Sequence, residues 1–137
     1  MNYSSKFIII KHEADKAGLH QDFRFKLPGG KGWDSYAVRK GVATEVGKKV
    51  LAVKTTIHTE KEATFTGVIK SGYGAGKLTK VDGGSCTILK ISPRHIALDL
   101  KGSKFKGLYH LVSTGVIDKE YNKGSFLLFK GKEDLKK

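Results

Sequence analysis

Leu19-His20-Gln21-Asp22-Phe23-Arg24-Phe25-Lys26-Leu27 alternates between polar and apolar side chains for most of its length. In an extended strand, side chains two residues apart share a face. His20, Asp22, Arg24 and Lys26 then form one row, while Leu19, Phe23, Phe25 and Leu27 turn toward a core. A nitrogen ligand, a carboxylate and a guanidinium in one row make a site for a divalent metal that holds a phosphate. An ordinary half-solvated strand with a histidine on its polar face would show the same alternation, so the rest of the chain has to decide.

The other apolar runs are also short, β-branched or aromatic, and separated by glycine-rich turns, which predicts an all-β domain. Strands are expected at Phe7-Ile10, His20-Leu27, Ser35-Val38, Val50-Ile57, Thr64-Ile69, Lys77-Val81, Cys86-Ile91, His95-Leu100, Lys104-Leu111 and Ser125-Lys130. Gly29-Gly30-Lys31-Gly32, Asp82-Gly83-Gly84 and Lys101-Gly102 read as reversals, with the clearest hairpin at Gly102. Glu13 to Gly18 is expected to form at most one helical turn, Asp118-Gly124 a polar loop and Lys132-Lys137 a frayed tail. The chain holds 17 glycines, and each costs about 1 kcal/mol inside a helix. Many short strands in one domain predict a compact closed or nearly closed β-barrel with at most a short helix, since closure removes exposed edges. A sandwich would share the periodicity.

The 137 residues suffice for one domain with a real core and are too few for two ordinary ones. Lys and Arg number 26 against 13 Asp and Glu, a formal charge of +13. Such an excess attracts a polyanion, nucleic acid before an acidic membrane surface. No segment approaches a membrane span, and a single cysteine, Cys86, excludes an intrachain disulfide and a thiolate metal cluster. These features fit a cytoplasmic protein.

The five histidines are His12, His20, His58, His95 and His110. His12 ends the first apolar strand, His20 begins the next and His58 ends the strand from Val50, so the three are expected to meet at one rim of a barrel. His12, His20 and Asp22 offer two imidazoles and a carboxylate, a set that accepts manganese, iron or zinc. Arg24 and Lys40 are candidates for gripping a phosphate, the first as a bidentate fork and the second as a point charge. His95 and His110 read as structural or surface residues. Gly72-Tyr73-Gly74-Ala75-Gly76 lacks the residues that complete a phosphate-binding loop, so Tyr73 is a candidate to pack or to stack on a base. Lys49 and Lys54 complete the candidate nucleic-acid contacts.

Lys11-His12, Leu19-His20-Gln21-Asp22-Phe23-Arg24, Tyr36-Ala37-Val38-Arg39-Lys40-Gly41, Leu51-Ala52-Val53 with His58, Phe65-Thr66-Gly67-Val68-Ile69, Tyr73-Gly74-Ala75-Gly76 and Phe126-Leu127-Leu128-Phe129-Lys130 also resemble, in order, the 3'-phosphoesterase domain of the bacterial DNA ligase D family. The resemblance runs from Phe7 to Lys132, and the chain looks like a stand-alone version of that domain. It implies a β-barrel that acts on DNA 3' ends with manganese, other divalent transition metals such as Co2+ or Zn2+ being alternatives. Such a domain removes a 3'-terminal ribonucleotide as a phosphodiesterase and a 3'-phosphate as a phosphomonoesterase. By the same resemblance His12, His20 and Asp22 are metal ligands, Arg24 contacts phosphate, Lys40 is a catalytic-site lysine and His58 faces the scissile phosphate opposite the metal. DNA 3' ends in primer-template or nicked duplex are the implied partners, with a separate ligase or polymerase acting alongside.

The chain also departs from the family pattern. The loop between His12 and His20 is longer than usual, which chain entropy tolerates. A family arginine position falls on Val50 and a family tyrosine position on Glu62, and the acidic residue before the tyrosine-glycine block is missing at Ser71-Gly72. Loss of part of the substrate-gripping shell predicts that one of the two steps is weak. The competing readings are a non-catalytic nucleic-acid-binding barrel, which would bind DNA without metal-dependent turnover, and a protein-interaction domain, which would not cluster His12, His20 and Asp22.

Overall fold

Among the described residues the chain forms strands β1 (Tyr3–Ala14), β2 (Gly18–Lys26), β3 (Trp33–Val38) and β4 (Val50–Lys54), then helix α1 (Glu60–Thr64). Strands β5 (Gly67–Ile69), β6 (Gly76–Ile91), β7 (His95–Lys101), β8 (Lys106–Asp118) and β9 (Lys123–Lys130) follow. This is a computed structural model, and it describes residues 2–16, 18–72, 75–118 and 123–132. Neighbours run in the order β1-β2-β3-β4-β9-β8-β7-β6, and β1 pairs back onto β6, so these strands close into a barrel. β5 lies outside the ring, hydrogen-bonded to β6. No helix among the described residues is long and apolar enough to cross a membrane.

Alternation along each strand sorts the side chains between two clusters. Phe7, Ile9, Phe23, Phe25, Tyr36 and Leu98 belong to the cluster inside the barrel. Ile8 and Ile10 face outward and pack with Trp33, Leu78 and Ala63 of α1 in a smaller second cluster. The run Phe7-Ile10 is therefore apolar on both faces because α1 covers the outer wall above it.

The β-barrel expected from the sequence is present, and several local expectations are corrected. Lys77-Val81 and Cys86-Ile91 are parts of one strand, and Asp82-Gly83-Gly84 is not a reversal. The pairing register with β1 shifts beside Asp82, so the strand carries a bulge there. The Asp82 carboxylate instead caps the Gly102 hairpin, accepting from the backbone N–H groups of Ser103 (3.0 Å), Lys104 (2.8 Å) and Phe105 (2.8 Å). Burial pushes the Asp82 pKa up, but these bonds outweigh it and hold the carboxyl below the usual range.

The described residues between Glu13 and Gly18 form no helical turn, since β1 runs to Ala14 and pairs with Gly18 of β2. The strand from Val50 ends at Lys54, and Thr64 closes α1 rather than opening a strand. Leu19 is 62% exposed and does not face a core. Asp118 pairs with Lys123, so the expected polar loop narrows to residues that lie outside the described ones.

Candidate metal and phosphate site

His12 of β1 and His20 of β2 are direct cross-strand partners, and Asp22 lies two residues further along β2. All three side chains therefore share one face, the outer wall that Ile8 and Ile10 also occupy. This corrects the expectation of a meeting at the barrel rim. Asp22 Oδ1 lies 3.0 Å from His20 Nε2 and Asp22 Oδ2 lies 3.5 Å from His12 Nδ1. One ligand atom from each residue falls within 4.8 Å of the others, and all three residues are buried. Burial raises the pKa of Asp22, but hydrogen bonds from His12 and His20 and the charge of Arg24 outweigh it, holding the carboxyl well below the usual carboxylate range. Two imidazole nitrogens and an ionised carboxylate converging on one point fit a divalent transition metal.

Arg24 follows on the same face of β2, and its guanidinium joins three elements. Nε donates to Ser35 Oγ of β3 at 3.1 Å, Nη2 to Asp22 Oδ2 at 3.2 Å, and Nη1 to the carbonyls of Ala63 (2.9 Å) and Glu62 (3.4 Å) in α1. A guanidinium carries five N–H groups, which leaves an Nη2 N–H for a ligand. The carbonyls it binds belong to the last turn of α1, where a cation is favoured.

α1 is short, and its start is fixed by a reciprocal cap. Thr59 Oγ1 accepts from the Glu62 N–H at 3.2 Å while Glu62 Oε1 accepts from the Thr59 N–H at 2.9 Å. Immediately before the cap, His58 forms a two-bond bridge with Trp33, its carbonyl accepting at 2.8 Å and its N–H donating at 3.0 Å. Gly32 permits this approach, because a Cβ there would lie 2.9 Å from the His58 carbonyl oxygen. His58 Nδ1 lies 3.7 Å from Glu62 Oε1. Burial first, and then the charge of Arg24, lower the His58 pKa against the opposing pull of Glu62 and Asp22, so the imidazole is neutral at neutral pH.

These side chains open onto one cavity of about 590 Å³ between the barrel wall and the segment carrying α1 and β5. His12, His20, Asp22, Arg24 and His58 all line it. Lys40 does not: it is exposed at a turn in which the Gly41 N–H donates to Val38 O. Lys54 lies 3.6 Å from the buried Asp34 carboxylate, and Lys49 stands 5.4 Å above the Phe129 ring, neither of them lining the cavity. Tyr73 lies outside the described residues. His95 and His110 bond to each other at 2.8 Å across β7 and β8, in keeping with a structural reading.

Lys61, Phe65, Ile69 and Lys123 also line the cavity and were not singled out from the sequence. The Thr59-x-x-Glu62 spacing of a capping box was the one local signal that a helix starts there and turns Lys61 and Phe65 toward the barrel. Nothing local marks Lys123, which reaches the cavity from the far end of the chain.

The profile of the DNA Ligase D 3'-phosphoesterase domain matches residues 10–113. The chain is 36% identical over 122 residues to the multifunctional non-homologous end joining protein LigD of Pseudomonas aeruginosa, covering 84% of this chain and 14% of that protein. It is 34% identical over 113 residues to the multifunctional non-homologous end joining DNA repair protein LigD of Mycobacterium tuberculosis, covering 79% of this chain and 14% of the relative. The chain thus corresponds to a small part of these relatives. With the matched residues spanning most of its length, and the His12-His20-Asp22 cluster lying within them, the chain belongs to the DNA ligase D 3'-phosphoesterase domain family.

Proposed function

We propose that this chain is a metal-dependent phosphoesterase of DNA 3' ends, removing a 3'-terminal ribonucleoside, a 3'-phosphate or both, to leave a 3'-OH. The observation that carries the reading is the convergence of His12, His20 and Asp22 with Arg24 and His58 in one cavity. His12, His20 and Asp22 would hold Mn2+, with Co2+ or Zn2+ as alternatives, and the bound ion would supply Lewis-acid neutralisation of phosphoryl charge.

The chain's own residues do the rest. The remaining N–H of Arg24 donates to a phosphoryl oxygen, and its other bonds keep it from swinging away. Lys61 and Lys123 add positive charge along the cavity wall. His58 meets the phosphate as a neutral imidazole. The anion opposes the depression of its pKa, which favours His58 as the group that gives a proton to the leaving oxygen. Lys40 has a catalytic role by family resemblance only. From its exposed turn it would act at the edge of the site or through the strand backbone. Lys49, Lys54 and Tyr73 are proposed to touch the DNA away from the chemistry, through phosphates and a base face.

The product would pass to a separate ligase or polymerase in the cytoplasm. A 5'-labelled primer-template ending in one ribonucleotide, incubated with and without Mn2+, is the test. Shortening to a 3'-phosphate or 3'-OH only with metal is expected. Salt-sensitive binding without turnover would make the chain a nucleic-acid-binding barrel instead.

A further inference from the structure

The cavity is far larger than a phosphate needs. Besides the His12-His20-Asp22 cluster, Arg24 and His58, its wall carries the apolar side chains of Ala14, Phe65, Ile69 and Leu78, with Thr55, Thr56, Lys61, Glu62 and Lys123 adding polar groups. Phe65 is 42% exposed and Ile69 36% exposed, although both are large apolar side chains beside a covered barrel wall. They are held in place rather than left loose. Phe65 directly follows α1, which Arg24 fastens to β2 and β3. The Phe65 ring lies over Gly67, whose φ of +129° favours glycine and where a Cβ would come within 3.3 Å of Phe65 Cζ. Ile69 is paired to Gly76 in β6, and Leu78 of β6 stands directly opposite His12. A fixed aromatic and aliphatic wall beside a phosphate-binding end suits a planar ring attached to that phosphate.

His58 also lines a second hollow of about 470 Å³, with Lys26, Lys31, Gly32, Ile57 and Glu60. That groove carries Lys26, Lys31 and Glu60, the last 3.5 Å from Lys26 Nζ, so it offers a small net positive charge to the backbone of a strand. The two hollows beside His58 therefore differ: the first carries the large apolar side chains of Phe65 and Ile69, the second Lys26 and Lys31 with Glu60.

We infer that the apolar part of the cavity receives the departing nucleoside, its base lying on Phe65 and Ile69, while the DNA strand leaves across His58 through the Lys26–Lys31 groove. This rests on the phosphoesterase reading. In the hydrolysis, water adds its oxygen to phosphorus, and the bond from phosphorus to the 5' oxygen of the held nucleoside breaks. That oxygen takes a proton and departs as an alcohol, leaving a 3'-phosphate on the strand. Phe65 and Ile69 offer their faces to the base, while Thr55, Thr56, Lys61, Glu62 and Lys123 line the same cavity with groups that can hydrogen-bond to its edge or to the ribose. Because a phosphate-terminated strand has no departing nucleoside, only the diester step depends on Phe65.

The test compares wild type, Phe65→Ala, Phe65→Leu and, as a control, Val68→Ala, whose exposed side chain does not line the cavity. With a ribonucleoside-terminated primer, Phe65→Ala should raise KM by roughly 10- to 100-fold, the range for loss of one stacking contact. Phe65→Leu should fall between, and Val68→Ala should match wild type. On a phosphate-terminated primer all four should agree. Equal losses on both primers, or no loss on either, would overturn the inference. A second measurement needs no turnover: adenosine is titrated into Phe65→Trp with fluorescence detection, and into wild type and Phe65→Ala by calorimetry. Saturable quenching with weaker binding by Phe65→Ala supports the pocket even if no 3' end is hydrolysed, in which case the phosphoesterase reading alone fails. Absence of adenosine binding by wild type overturns the pocket even where 3' ends are processed.

Discussion

Replacing Arg24 with alanine should destabilise the fold more than any other single change in the site. The substitution removes the donors to Asp22 Oδ2, Ser35 Oγ and the Ala63 carbonyl. Asp22 and Ser35 are buried, and deleting one partner of a buried ion pair costs about 3–5 kcal/mol because the other charge stays behind. Water entering the truncated site recovers part of the lost bond at the Ala63 carbonyl, so we take about 4 kcal/mol as the net loss. That is a large share of the 5–15 kcal/mol, roughly, that holds a domain together. With an m-value of about 1–3 kcal/mol/M in urea, the unfolding midpoint should fall by roughly 1.3–4 M. Arg24→Lys keeps a charge near Asp22 but not the planar fork, and should lose an intermediate amount. Metal supplies the second half of the assay. Saturating Mn2+ stabilises the folded state by about 2.7 kcal/mol at a hundredfold excess over Kd. The increment should be larger in Arg24→Ala than in wild type, because the competing cation beside Asp22 is gone. A variant that unfolds within about 1 kcal/mol of wild type, or identical metal increments in the two proteins, would refute the view that Arg24 clamps α1 and shares the charge of Asp22.

Four other outcomes follow from the geometry and the charge. His58→Ala should lower turnover by roughly a hundredfold to a thousandfold with little change in DNA affinity or melting temperature, while Asp22→Asn should weaken Mn2+ binding as well as turnover, as metal titration would show. Asp82→Asn should cost about 2 kcal/mol, since it weakens charge-assisted bonds from three backbone N–H groups. The folded pKa of Asp82 lies below its unfolded value near 3.9, so its contribution is complete above that pH and disappears as pH falls through the folded value; the gap between wild type and Asp82→Asn in urea melts should narrow below about pH 4. A labelled DNA end should bind with an affinity that falls steeply with salt, given the +13 charge, and a salt-independent affinity would count against a backbone-contacting mode.

How far the sequence could be read depended on which physical signal was local. Alternation through His20–Lys26 identified the polar row and the core row, because a strand has only two faces. It did not reveal that His20, Asp22 and Arg24 of the polar row are buried, since that depends on what covers the outer wall. The clue was in Phe7-Ile10: apolar residues at consecutive strand positions require cover on both faces, and Ile8 and Ile10 find it with Ala63. The cover itself was signalled by Thr59 and Glu62, whose spacing is that of a capping box. Turn chemistry misled at Asp82-Gly83-Gly84, because the same residues that make a tight reversal also suit a bulge, and the Asp82 carboxylate serves a hairpin twenty residues on, roughly. Lys40 shows a different limit. Its motif neighbours align with the family, yet side-chain position at a turn depends on the turn's geometry, which a motif does not encode. The candidate metal cluster escaped that limit because His12, His20 and Asp22 are tied by one antiparallel pairing, in which His12 opposite His20 follows once Ala14 is paired with Gly18. His58 and Phe65 reach the same cavity by another route, through a bridge to Trp33 and a helix fastened by Arg24. The residue that most directly joins the strand of His20 and Asp22 to the helix that leads into Phe65 is therefore Arg24, and its loss should disturb both parts of the site together.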